Sequence, residues 1–68
     1  MLDRDKLAER LRMERARKKV TQAEVGSAIG GNAAMVCGWE NGDNVPSTKS
    51  LVALAEYYGV TIDYLVGK

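Results

Sequence analysis

Apolar residues in this chain fall into five short groups at helical spacing, divided by glycine or polar breaks. Leu7 and Leu11 lie four apart and share a face, and Arg15 continues the same line. Asp3 or Asp5 opens this first helix, which is predicted to run to about Lys18. A second helix spans Gln22 to Ile29 and turns Val25 and Ile29 inward. The third begins at Ala33. At about 100° per residue, Val36, Trp39 and Glu40 share one side, while Ala33, Ala34, Cys37, Gly38 and Asn41 share the other, with Met35 at the flank. Trp39 is read as core. Leu51, Leu54, Ala55 and Tyr58 follow the i, i+3, i+4, i+7 pattern of a fourth helix, and a short fifth runs from Ile62 to Val66, with Val60, Ile62 and Leu65 as its apolar contacts.

The breaks carry boundary chemistry. Thr21 and Glu24 form a capping-box pair, Gly30-Gly31 interrupts the periodicity, and Asn32 is a good N-cap for the third helix. Ser47 and Thr61 cap the fourth and fifth helices, while Gly42 and Gly59 stand where left-handed C-caps are wanted. Two helices joined by a three- to four-residue, glycine-containing turn are the helix-turn-helix signature, here centred on residues 22–41. Gly26 inside the second helix costs about 1 kcal/mol relative to alanine, so close packing against the third helix is expected there. Arg15 points toward the core and needs a partner. Glu40 borders the buried side of the third helix, and the two are expected to pair through the guanidinium fork.

Composition narrows the class. Sixty-eight residues make one domain, residues 1–68, and one Pro, no Phe and few β-branched runs point to an all-α fold of five helices. One Cys and no His provide neither a zinc ligand set nor an internal disulfide, so no metal or cofactor is expected. The absence of His and of a carboxylate cluster beside a nucleophile argues against an enzyme. No long apolar run or signal-peptide pattern is present, and a soluble cytoplasmic protein is expected. Net charge is only +1, yet residues 1–19 hold eight of the ten basic residues. That asymmetry suits either nucleic-acid binding by one end or a solvated first helix.

From Leu7 to Gly67 the chain resembles the Cro/C1-type helix-turn-helix domain of phage repressors and small bacterial regulators. The matching residues are Leu7-x-x-Arg10-Leu11, Arg15, Thr21-Gln22-Ala23-Glu24-Val25, Ile29-Gly30, Val36, Trp39-Glu40-Asn41-Gly42, Pro46, Leu51-x-x-Leu54-Ala55, Gly59-Val60 and Asp63-Tyr64-Leu65. The resemblance implies a lambda-repressor-like five-helix fold, a homodimer, and a third helix placed in the major groove of double-stranded DNA. It implies backbone hydrogen bonds from Gln22, Asn32 and Asn41, base-facing positions at Ala33, Ala34, Cys37 and Gly38, a structural ion pair between Arg15 and Glu40, and a dimer contact around Ile62 and Tyr64. Arg10, Lys19 and Lys49 are further basic candidates for the DNA backbone.

The sequence departs from the family at the reading face. Arg, Gln, Lys, Ser or Asn usually stand where this chain has Ala, Ala, Cys and Gly, none of which makes the bidentate pairs that read guanine or adenine. The methyls of Ala33 and Ala34 suit thymine methyls, and Asp43 after the third helix repels phosphate. The leading expectation is a repressor-like transcriptional regulator. The alternatives are a protein-interaction module that keeps the fold but has weakened its DNA reading, and an antitoxin or restriction-modification controller.

Overall fold

Each helix starts on a side chain that closes it. In a computed structural model describing residues 3–68, α1 (Arg4–Lys18), α2 (Gln22–Ala28), α3 (Ala33–Asn41), α4 (Thr48–Tyr58) and α5 (Ile62–Leu65) follow in order. Asp3, Thr21, Asn32, Ser47 and Thr61 are the N-caps, and each side chain accepts a hydrogen bond from the backbone N–H three residues on. At Thr21 the return bond from the Thr21 N–H to Glu24 Oε1 (3.0 Å) completes the capping box. These caps satisfy donors that a short helix otherwise leaves open, so the boundaries follow from local sequence.

The C-termini are closed by left-handed residues: Gly30, Gly42 and Gly59 at φ +79°, +79° and +69°, and Lys19 at φ 60°. In the α2–α3 turn the Gly31 N–H donates to the Gly26 carbonyl (2.7 Å) and the Gly30 N–H to that of Ser27 (3.3 Å). This is the Schellman arrangement, and it ends α2 one residue before the expected Ile29, which becomes the C-cap. Likewise α5 stops at Leu65, with Val66 as its cap.

Leu7, Leu11, Val25, Val36, Trp39, Leu54, Ala55 and Leu65 form the core. Helix α1 crosses it and touches α3, α4 and α5, while α2 packs chiefly on α3. A helix of four residues has no stability of its own. Burial of Leu65, worth about 1.5–3 kcal/mol, holds α5 in place. Ile62, expected among the apolar contacts, instead keeps 37 % of its surface in water, because only the Leu65 side of so short a helix meets the core.

Gly26 supplies the tightest approach. A β-carbon there would lie 2.4–2.7 Å from the carbonyl carbon, oxygen and Cα of Asn32. The backbone that caps α3 therefore rests on α2 where a side chain would stand. The contact is with the cap of α3 rather than the body of that helix.

Tyr58 is the opposite case. Its hydroxyl is buried without a hydrogen-bond partner among the described residues, and burial, with Glu40 nearby, pushes its pKa well above the ordinary tyrosine value. Tyr58→Phe should leave stability unchanged or raise it by up to about 1 kcal/mol, because an unsatisfied buried hydroxyl only contributes its desolvation penalty. Urea denaturation measures this, and a loss above that magnitude would mean that the hydroxyl has a partner in solution.

Candidate nucleic-acid interface

Helix α3 hangs from the domain by one side. Val36, Trp39 and Glu40 are buried, whereas Ala34 and Asn41 are exposed and Ala33, Cys37 and Gly38 are half-buried. Ala34 and Gly38 are four apart and share the outward side. Asn41 Nδ2 donates to Cys37 Sγ (3.4 Å), joining two outward side chains along the helix. Met35, 39 % exposed, lies at the flank.

The inward side is fixed by charge as well as by packing. Arg15 Nε donates to Glu40 Oε2 (2.7 Å) and Arg15 Nη2 to Glu40 Oε1 (3.0 Å), a two-point grip. The Glu40 side chain is 3 % exposed and that of Arg15 28 %. Hydrogen bonding to Glu40 raises the Arg15 pKa above its ordinary value, outweighing the opposing effect of burial. Arg15 Nη1 also donates to the Val20 carbonyl (3.1 Å), which ties the α1–α2 connection to the same pair.

Several of the residues expected at the interface have partners within the domain. Gln22, expected on phosphate, donates through Nε2 to Glu40 Oε1 (3.2 Å), because its side chain at the start of α2 lies beside that buried carboxylate. Arg10, expected among the phosphate-reaching cations, bonds the Tyr64 carbonyl and lies 4.7 Å from the centre of the Tyr64 ring. The open carbonyls at the end of α5 are a natural site for a cation. Arg12 does the same at the end of α3, donating to the Glu40 carbonyl. Tyr64, expected at a dimer contact, donates its hydroxyl to Glu14 Oε2 (2.9 Å). Arg10, Arg12 and Arg15 on α1 are thus each engaged by another helix of the domain.

Asn32 Oδ1 caps α3 by accepting from the Met35 N–H (3.0 Å), which leaves its amide nitrogen directed elsewhere. Lys19 and Lys49 are exposed, at the left-handed end of α1 and in the first turn of α4. Sequence reasoning missed Glu14, which is 6 % exposed and held by Arg17 and Tyr64. The signal was available, since Glu14 stands seven after Leu7 and three after Leu11.

A capped helix, a Schellman turn and a second helix held by one face define the helix-turn-helix class. The chain belongs to the helix-turn-helix domain family, whose model matches residues 6–65. The P22 c2 repressor protein, solved in complex with a synthetic operator, is similar at TM-score 0.88 and 30 % identity, over 90 % of this chain and 92 % of that one. The SOS-response transcriptional repressor LexA from Eubacterium rectale is similar at TM-score 0.87 and 26 % identity, over all of this chain and 74 % of that one. Hydroxypropylphosphonic acid epoxidase from S. wedmorenis is similar at TM-score 0.83 and 28 % identity, over 93 % of this chain but 34 % of the enzyme. No curated protein matches the sequence. Among the described residues, no helix is long and apolar enough to cross a membrane.

Proposed function

We propose that this chain is a DNA-binding transcriptional regulator of the repressor type, working on cytoplasmic DNA, with α3 laid in the major groove and two copies bound to a palindromic site. The observation that carries this reading is the outward side of α3, which has no duty in the core and is held rigidly by α2, the Schellman turn and the Arg15–Glu40 grip. Its similarity across nearly the whole chain to a repressor solved with its operator supports the same reading. A single short helix spans few base pairs, so two copies one helical turn apart make a usable site. Exposed Ile62 remains available for that pairing, whereas Tyr64 contributes by positioning α5.

Backbone attachment rests on the amides of Asn32 and Asn41, the N-terminus of α3, and Lys19 and Lys49. With so few cations, the log–log salt slope for a dimer should be no steeper than about −4, at about −0.9 per neutralised phosphate. We read the domain as a binding module without catalytic chemistry. The buried carboxylates Glu14 and Glu40 are both held by arginine, and a fold shared with one third of an enzyme does not carry that enzyme's reaction. A protein-interaction module is the second reading, favoured by the small side chains on the outward side of α3. An antitoxin or controller role would use the same DNA-binding surface.

Selection of bound duplexes from a random pool at low salt separates these readings. The expected result is an inverted repeat with half-site centres about ten base pairs apart, carrying two chains per duplex in sedimentation. Failure to retain any duplex at low salt would overturn the regulator reading in favour of the interaction module.

A further inference from the structure

We infer that Asn44, in the loop after α3, is the base-reading side chain of this domain, supplying the hydrogen bonds that α3 itself lacks. This rests on the DNA-binding reading above. Gly38 lies on the outward side of α3, and the space a side chain would fill there is taken by the Asn44 carboxamide. A β-carbon on Gly38 would lie 2.7 Å from Asn44 Nδ2, 3.7 Å from Cγ and 3.9 Å from Cβ. The amide therefore lies against α3 at Gly38, on the side of the helix that does not face the core.

The loop backbone holds it there. Gly42 turns the chain at φ +79°, and the N–H groups of Asp43 and Asn44 both reach back to the Gly38 carbonyl, at 2.9 and 3.3 Å. Asn44 is exposed, with its Nδ2 end against Gly38, and no hydrogen bond to another described residue engages its side chain, so the carboxamide is open to a ligand. An Asn carboxamide matches adenine in the major groove, its oxygen accepting from N6 and its nitrogen donating to N7. The neighbouring Asp43 makes this loop a poor phosphate anchor, which favours a base edge as the partner. The absence of a side chain at Gly38 is then what the arrangement requires, since a β-carbon there would displace the amide. The ligand class is a duplex half-site with adenine opposite Asn44, next to the thymine methyls that Ala33 and Ala34 suit.

Three variants test this, each taken through selection from a random duplex pool and through thermal unfolding. Asn44→Ala should remove the preference at one position per half-site, a loss of roughly 5- to 150-fold in discrimination, and leave affinity for scrambled DNA unchanged. Asn44→Asp keeps the size but accepts only, so the preference should move from adenine toward cytosine, whose N4 donates. Gly38→Ala should erase the same preference while the melting temperature holds, because the displaced atom is the far end of a flexible side chain. The inference is overturned if Asn44→Ala keeps the full preference. It is equally overturned if that variant weakens matched and scrambled DNA alike with a shallower salt slope, the mark of a phosphate contact. A wild-type chain that retains no duplex at all overturns the regulator reading, and that failure is visible before any substitution is made.

Discussion

Arg15→Ala should lower stability by about 3 kcal/mol, at the lower end of the range for breaking a buried ion pair. The loss arises on the other partner. Glu40 stays at 3 % exposure, keeps only the Gln22 amide at 3.2 Å, and becomes a nearly unpaired buried charge. Arg15 retains 28 % exposure, which screens the pair and holds the figure below the upper bound. A domain of this size has roughly 3–10 kcal/mol in total, so the variant would be close to unfolding at 37 °C. The melting temperature should fall by roughly 12–24 °C. The pair Arg15→Met with Glu40→Leu should recover a large part of the loss, because apolar replacement removes both charges from the interior. If Arg15→Ala costs less than about 1 kcal/mol, the bridge behaves as a surface contact and α3 is held by packing alone.

Gly26→Ala comes next in size. Alanine is favoured over glycine inside a helix by about 1 kcal/mol, yet the net effect here should be a loss of about 1–3 kcal/mol. The added carbon would meet three backbone atoms of Asn32 at 2.4–2.7 Å, and backbone cannot rotate aside. The cap of α3 must move, carrying the outward side of that helix with it. Site binding should therefore fall further than stability does, which measurement of both on one preparation would reveal. Ser27→Ala, one residue on and exposed, is the control and should be neutral. An unchanged melting temperature for Gly26→Ala would mean that the two helices sit further apart in solution.

The two substitutions also mark what the sequence makes legible. The helix starts were readable because Thr21, Asn32, Ser47 and Thr61 act within three residues of themselves. Arg15 and Glu40 were readable because each was a charge on an apolar face, and such a charge needs an opposite partner. Other assignments depended on what lay across the core. Nothing local distinguishes Arg10, which stacks on Tyr64, from exposed Lys19, and nothing local turns Gln22 toward a carboxylate eighteen residues away. Asn44 escaped for a different reason. Its place over Gly38 depends on the path of the loop after Gly42, and periodicity describes helices without describing the loops between them.

The seam between α1 and α5 has a consequence for motion. Glu14 and Tyr64 are fifty residues apart, so their bond closes a loop that takes in most of the chain and does so through a helix of four residues. Such a unit should open before the rest, its amides exchanging with solvent through a local excursion while those of α1 and α3 await global unfolding. Each excursion should expose Leu65 and release Arg10 from the Tyr64 carbonyl, while Glu14 loses Tyr64 but stays paired with Arg17 on α1. If a second copy docks against Ile62, it also slows this breathing, and amide protection in α5 then rises with protein concentration while that in α3 does not.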